Sequence, residues 1–315
     1  MTTIGMVTNP KDGERNGSRF CNDVADISAM ERMAPYVPGE IFPSFFTVSI
    51  FQNALVAALL VSMVAAFLGS FLIIKNLSLI GDGLAHVTFG GVAVGIVIGA
   101  TSPLWYALVF SVVCSLLIHE LQARGLLTGD AAIAIFSTGA LALGLVFLSY
   151  WGGGITNTVE GYLFGNILLI NSQSFEIIVW MSIVSMSFLG AFRHILLAMS
   201  LDPISLGVQG IPVGRIGRAF SIITAVVVVC MVQFIGALLV TALLVTPAAT
   251  GQIVSKSFRS CLIWSQVFAL SSTILGIFIS AELEIGTGST IALVSVSIFL
   301  IAALFQMIVL PLLGT

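Results

Sequence analysis

Long stretches without a charged residue constrain this chain more than any other feature of its sequence. Five such runs, each of 22 residues or more, cover residues 41–74, 131–159, 219–255, 260–281 and 285–315. A helix of about 20 apolar residues crosses the hydrocarbon core of a bilayer, and runs of this length exceed what buried helices of soluble domains need. The chain is therefore predicted to be an all-α polytopic membrane protein.

The composition excludes the other broad classes of protein. Hydrophobic residues make up 58% of the chain and charged residues only 8%, whereas soluble domains carry roughly 25% charged residues. Disorder needs low hydrophobicity and high net charge. A net charge of -3 with eleven Lys and Arg offers no basic surface for nucleic acid. The alternation typical of outer-membrane barrels is also absent from the sequence.

The predicted spans follow the gaps between charges. They lie at about 48–74, 77–100, 103–121, 131–151, 174–196, two within 217–254, 259–281 and 287–311. A single helix over 219–255 would be about 55 Å long, nearly twice the hydrocarbon thickness of about 30 Å. Two short crossings bent near Gln233–Gly236 give nine spans. One tilted helix broken at Pro247 gives eight.

The distribution of Lys and Arg predicts the orientation and favours nine spans. With nine spans, every basic residue after the first span falls on one side of the membrane, and the positive-inside rule makes that side cytoplasmic. These residues are Lys75, Arg124, Arg193, Arg215, Arg218, Lys256 and Arg259. The C-terminus is then cytoplasmic, in the cell (inner or plasma) membrane. Residues 1–45 are polar and lack signal-peptide features, so they are predicted to be a poorly ordered tail before a transmembrane domain at 46–315.

Asp82 and His86 are the ionisable residues near the middle of the second predicted span. Their i, i+4 spacing puts them on one helix face, about 5–6 Å apart at Cβ. A carboxylate at this depth is costly unless it is paired, and carboxylate oxygen with imidazole nitrogen suits Zn, Mn or Fe. The pair is predicted to line a metal path, with other ligands from other helices, another subunit or water. The alternative is a buried Asp–His hydrogen bond that only joins helices.

Small residues and one proline are predicted to control helix packing. Gly91 and Gly95 form a GxxxG step on the second span, which permits close approach of a neighbouring helix. Pro247 interrupts the charge-free run at 219–255.

A short helix is predicted within the loop at about 200–216. Asp202 followed by Pro203 suits the N-cap and the first position of a helix, while Gly210 and Pro212 are expected to end it, with Gly207 inside it. A cytoplasmic helix here can dock a partner; the alternative is an ordinary connection.

Two segments resemble motifs of enzymes or nucleotide-binding proteins, but both are incomplete. The run Gly251 to Ser257 ends like a phosphate-binding loop, but Ser255 stands where that loop needs glycine, and the run follows an apolar span. His119-Glu120 lacks the second histidine of a zinc-protease motif, because residue 123 is alanine. The chain is therefore predicted not to be an enzyme and to have no ATP site of its own.

Five segments resemble, in order, those of the metal-ion ABC importer permeases for zinc, manganese and iron. They are 78–86 (SLIGDGLAH), 162–168, 201–213, 236–250 and 287–291. The resemblance runs from about residue 46 to 312. Some zinc-type members carry an extra histidine in the fourth span; here that region reads Phe136-Ser137-Thr138-Gly139, so manganese and iron stay open beside zinc.

The resemblance implies an importer of divalent transition metal ions with divided labour, in the helical fold of the cobalamin and siderophore permeases. An extracytoplasmic metal-binding protein would deliver the ion, two permease subunits (the same or related) would form its path, and cytoplasmic ATPase subunits would drive it. This chain would be one permease, binding no permanent cofactor and docking the ATPase through the loop at 200–216. The alternatives are an ATP-independent carrier using Asp82 and His86 as a relay, and a permease for a metal chelate.

Overall fold

A computed structural model of the chain describes residues 49–100, 102–151, 157–165, 172–283 and 285–312. Every regular element within these ranges is a helix, so the predicted all-α class is confirmed. The described residues from Ala54 onward belong to one compact unit. The polar tail predicted at residues 1–45 lies outside the described residues.

Twelve helices, labelled α1 to α12, make up the described part of the chain. Their bounds are α1 Ser49–Ile74, α2 Ile80–Val97, α3 Pro103–Ala123, α4 Gly129–Trp151, α5 Asn157–Phe164, α6 Ser172–Leu201, α7 Pro203–Val208, α8 Val213–Ile235, α9 Val240–Leu244, α10 Thr246–Val254, α11 Phe258–Leu283 and α12 Thr287–Leu312. Eight of them are long and apolar enough to cross a membrane, namely α1, α2, α3, α4, α6, α8, α11 and α12.

The segment after α8 adds a further pass made of two short helices. The chain turns at Gly236, whose φ is 90°, beside the start of α12, where a Cβ on Gly288 would collide with the Ile235 carbonyl. At the other end of the segment, Gln306 Nε2 donates to the Ile253 carbonyl over 2.6 Å. Gly288 and Gln306 are about 27 Å apart along α12 at about 1.5 Å per residue.

Residues 236–254 therefore run beside α12 for roughly the thickness of a bilayer. The stretch 217–254, for which the sequence allowed one pass or two, makes two passes. The single tilted helix broken at Pro247 is wrong, because the chain reverses at Gly236. Pro247 is buried at the start of α10, a position at which its missing N–H breaks no helical hydrogen bond. Val245 separates α10 from the five-residue α9.

All seven Lys and Arg of the described ranges lie at or near one end of the helices, which we call the basic end. They follow α1 (Lys75) and α3 (Arg124), precede or begin α8 and α11, and sit in the last turns of α6. Arg124 pairs there with Glu120 over 2.8 Å. The opposite end of the bundle carries the turns at Gly165 and Gly236, and the acids Glu176 and Glu282 lie towards it.

Helix α2 packs closely against α3 because glycines remove the side chains between them. A Cβ on Gly91 would lie 2.7 Å from the Cα of Ala107 and 2.9 Å from the Cβ of Phe110, and one on Gly95 would lie 3.1 Å from the Cα of Pro103. This close approach is of the kind that the predicted GxxxG step permits, and the neighbouring helix is α3.

Replacing Gly91 by alanine should lower the melting temperature of the purified chain, because the new methyl group meets backbone that cannot move aside locally. Overpacking of this kind costs about 1–3 kcal/mol. Gly139→Ala is the matched control, since a Cβ at Gly139 has nothing within 4 Å. Thermal unfolding in lipid nanodiscs measures both. A Gly91→Ala protein as stable as Gly139→Ala would contradict the close packing of α2 on α3.

Candidate metal path and docking helix

The depth of Asp82 and His86 follows from the register between α2 and α3. Thr88 Oγ1 and Ser111 Oγ share a buried hydrogen bond of 2.8 Å, and the two helices run antiparallel. His86 therefore lies level with residue 113, the midpoint of α3 (Pro103–Ala123). Asp82, in the first turn of α2, lies one turn nearer the basic end. The predicted mid-span location therefore fits His86, while Asp82 lies between mid-span and the basic end.

Asp82 and His86 form the open stripe of an otherwise enclosed helix. Every other residue of α2 from Ile80 to Ala93 is buried, while the side chains of Asp82 and His86 are 46% and 22% exposed. A membrane helix surrounded on its other faces thus exposes one carboxylate and one imidazole to the same space, and intramembrane ionisable groups so placed mark ion pathways in transport proteins.

The geometry of the pair suits metal coordination better than a structural hydrogen bond. His86 Nε2 and Asp82 Oδ2 are 3.7 Å apart, which is too long for a hydrogen bond. Two atoms at this separation can both lie about 2.0–2.2 Å from one ion, the usual distance for imidazole nitrogen and carboxylate oxygen ligands. Nowhere in the described ranges do three or more His, Cys, Asp or Glu side chains cluster as a metal site.

Helix α7 confirms the short helix predicted at the basic end, although it is shorter than the 202–212 segment that carries its signals. Asp202 is its N-cap, because its Oδ1 accepts hydrogen bonds from the N–H groups of Ile204 and Ser205, each over 3.1 Å. The Ser205 hydroxyl also donates to the other carboxylate oxygen. These hydrogen bonds, that of the Ser205 hydroxyl first, lower the pKa of Asp202, so the cap is ionised at neutral pH and weakens only as acid protonates it.

Every residue of α7 except Leu206 is exposed, and its large exposed side chains are apolar. The helix stops at Val208, and Gly210 adopts a φ of 79° in the turn before Pro212 and α8. Ile204 and Val208 are 79% and 85% exposed, whereas Leu206 anchors the helix at 7% exposure. A Cβ on Gly207 would meet nothing within 4 Å. The arrangement offers a small hydrophobic surface at the basic end to a partner.

Sequence reasoning missed two features that fix the geometry of this bundle. Gly165, Gly236 and Gly288 bring the ends of α5, α8 and the start of α12 into backbone contact, where Ala237 N–H donates to the Tyr162 carbonyl over 2.9 Å. Lys75, which the sequence places in a simple loop, is tucked against Phe220 of α8. The three glycines at the predicted outer ends of spans were the available signal for the backbone contact. Nothing in the sequence indicates that Lys75 contacts Phe220.

Eight long apolar helices, a ninth interrupted pass and an ionisable pair on one helix face are the features of a multi-pass membrane protein of the transport class. Comparison with known proteins makes this more specific. The chain matches the model of the ABC 3 transport family over residues 47–306. It therefore belongs to this family, and it is the membrane permease subunit of an ABC transporter, as the five sequence segments indicated.

Individual relatives agree with this assignment. The chain is similar to the manganese import system permease protein ScaB of Streptococcus gordonii, with 30% identity over 251 residues, 80% of this chain and 89% of that protein. It is 29% identical over 265 residues to the manganese transport system membrane protein MntC of Halalkalibacterium halodurans, covering 84% and 90%. The structure of PsaBC from Streptococcus pneumoniae in complex with Fab matches with a TM-score of 0.72 and 30% identity, over 86% of this chain and 95% of that one.

Proposed function

We propose that this chain forms the path of a divalent transition metal ion, Mn²⁺ first, in an ATP-driven importer, and that Asp82 and His86 hold the ion in transit. The observation that carries the proposal is the open stripe on α2, where these two side chains alone interrupt the burial of Ile80 to Ala93. Their spacing of 3.7 Å lets both contact one ion.

The ligand chemistry supports a bare transition metal ion as the cargo. A carboxylate oxygen with an imidazole nitrogen suits Mn, Fe or Zn, whereas Cu(I) prefers thiolate or thioether and Ca or Mg prefer all-oxygen shells. Among these metals we propose manganese because both named relatives are manganese permeases. Two ligands from one chain bind weakly enough to release the ion, and water or a second permease subunit completes the shell.

The ends of the bundle support a division between partners. The basic end is proposed as cytoplasmic by the positive-inside rule, which places α7 where it can dock an ATPase subunit. The opposite end then faces an extracytoplasmic metal-binding protein that delivers the ion. A second copy of this chain, or a related permease, is proposed to face it across the path, because one chain supplies an incomplete set of ligands.

Isotope uptake tests the cargo. The chain, reconstituted in liposomes with the ATPase and binding protein of its own cell, should accumulate ⁵⁴Mn when ATP is supplied on the α7 side. Unlabelled Zn²⁺ and Fe²⁺ should compete, while Ca²⁺, Mg²⁺ and a cobalamin-type chelate should not. Uptake without ATP would favour the carrier alternative, and transport of the chelate would overturn the assignment of a bare ion.

A further inference from the structure

The turn between α1 and α2 is held by backbone hydrogen bonds and leads to the helix that carries Asp82 and His86. The N–H groups of Lys75, Asn76 and Leu77 donate back to carbonyls in the last turn of α1, over 2.9–3.0 Å. Asn76 has a φ of 54°, the one positive value at a non-glycine position in the described ranges, and this ends α1. Because the turn is short, a movement of Lys75 displaces the first turn of α2 and with it Asp82.

Lys75 is a largely buried cation whose partner is an aromatic ring. Its Nζ lies 4.1 Å from the ring centroid of Phe220 on α8, a cation–π distance. In the described part of the chain no carboxylate lies within ion-pair distance of it. Burial lowers the pKa of Lys75 to about 8. The Lys75 ammonium has little water around it and is stabilised by the Phe220 ring, so its position depends on the position of that ring.

Phe220 lies on α8, the helix that directly follows the docking helix α7 in the chain. Helix α8 starts at Val213, four residues after α7, and Phe220 lies in its second turn. The same part of α8 is locked to α3, because Ser115 Oγ donates to the Ser221 carbonyl over 2.8 Å and a Cβ on Gly217 would lie 2.8 Å from His119 Cε1.

A small cavity at this junction leaves room for movement. It measures about 40 Å³ and lies where the α1–α2 turn meets α3, α6 and α8. Lys75, His119, Gly217 and Phe220 are among its lining residues. It is large enough for a water molecule, so the ammonium and the ring can shift against each other without emptying a packed core.

We propose that the contact between Lys75 and Phe220 transmits movement of the ATPase-docking helix α7 to Asp82, so that the metal pair responds to the nucleotide state of the ATPase. Lys75 and Phe220 are positioning residues that do not touch the ion. The proposal rests on the proposed function of α7 and of Asp82. It adds a physical connection between them, in which a partly buried cation rests on a ring beside a small cavity.

Transport coupling gives the first test. Lys75→Met keeps the length of the side chain and removes its charge, and Phe220→Leu keeps burial and removes the ring. In the reconstituted importer each should lower the number of Mn²⁺ ions moved per ATP about tenfold, within the range of about 5–150-fold seen for coupled sites. Lys75→Arg and Phe220→Tyr should restore coupling, since they keep the cation and the ring. The double variant should lose no more than either single variant.

The controls remove similar groups at the same end of the bundle. Lys256 is exposed and Phe258 packs on Phe71 of α1 at 5.3 Å between ring centroids, so Lys256→Met and Phe258→Leu should leave the ratio unchanged. Equal losses in Lys75→Met and Lys75→Arg, or losses that multiply in the double variant, would overturn the proposal.

A second readout is independent of which ion is carried. Leu79 is exposed in the α1–α2 turn, and the three cysteines of the described ranges are buried, so Leu79→Cys in a Cys21→Ser background reports on the turn through its rate of thiol labelling. A nonhydrolysable ATP analogue bound to the assembled importer should change that rate. Lys75→Met should remove the change and Lys75→Arg should keep it. If the nucleotide leaves the labelling rate unchanged in the parent, the transmission is refuted, whether or not Mn²⁺ is the cargo.

Discussion

Asp82→Asn and His86→Ala should each abolish ATP-driven Mn²⁺ uptake while the importer still assembles. Each change removes one of the two ligand atoms that lie 3.7 Å apart on the open stripe of α2. Loss of groups that merely orient metal ligands already costs about 10–100-fold, so loss of a ligand should lower uptake at least about 100-fold. Isotope uptake into liposomes, with the complex quantified by co-purification, measures the effect.

Matched controls separate a ligand role from the loss of any acid or imidazole. Asp130 also lies in the first turn of a helix, α4, but it is exposed at the basic end, and His194 is exposed beside Arg193. Asp130→Asn and His194→Ala should transport normally. Normal uptake by both Asp82→Asn and His86→Ala would remove the metal path from this helix.

Thermal stability distinguishes transport from the structural alternative. If the Asp82–His86 pair only joined helices, Asp82→Asn would destabilise the bundle. At 3.7 Å the two groups share no hydrogen bond, and neutralising a carboxylate at membrane depth removes a desolvation cost. The melting temperature of Asp82→Asn should therefore stay the same or rise while transport is lost. A lower melting temperature together with full transport would identify a structural pair.

The sequence predicted the spans well because bilayer thickness imposes one strong rule on composition. A charge-free run of the right length has few alternatives, so the charges that bound each run locate Ser49–Ile74 or Thr287–Leu312 within a few residues. The stretch at 219–255 was ambiguous because its length lies between one pass and two. What decides it is the positive φ of Gly236 and the close approach of Gly288, a tertiary contact that hydropathy does not encode.

The candidate site also has one part that the sequence predicts and one part that depends on tertiary packing. The i, i+4 spacing of Asp82 and His86 dictates a shared face on any helix, so the sequence sufficed for the pair. The exposure of this face depends on how α3, α4, α8 and α9 surround α2. The sequence of α2 alone does not specify that packing. Lys75 shows what the sequence does not predict. A lysine after a span indicates the cytoplasmic end, yet the contact of Lys75 with Phe220 arises from the packing of α8.

Gly207→Glu should disconnect ATP hydrolysis from transport by blocking the surface of α7. The position is suited to this test because a side chain there enters open space, so the bundle itself should remain folded. The neighbouring Ile204 and Val208 are almost fully exposed apolar side chains, the kind of residue that a partner buries. A carboxylate placed between them would have to lose its hydration without a counter-charge when the partner docks, and such unpaired burial is strongly unfavourable.

We expect Gly207→Glu to lower co-purification of the ATPase subunit about tenfold or more, and to lower uptake in proportion, since a charge left buried and unpaired in an interface costs about 2–5 kcal/mol. Gly207→Ala should behave like the parent, because a methyl group fits the open space. Leu126→Glu places the same charge on another exposed residue of the basic end, in the α3–α4 turn, and should leave binding intact. Cysteine labelling of Gly207→Cys in intact cells supplies the topology: reaction with a membrane-impermeant reagent would put α7 on the outer face, where no ATPase can reach it, and both the docking role and the proposed orientation would then be wrong.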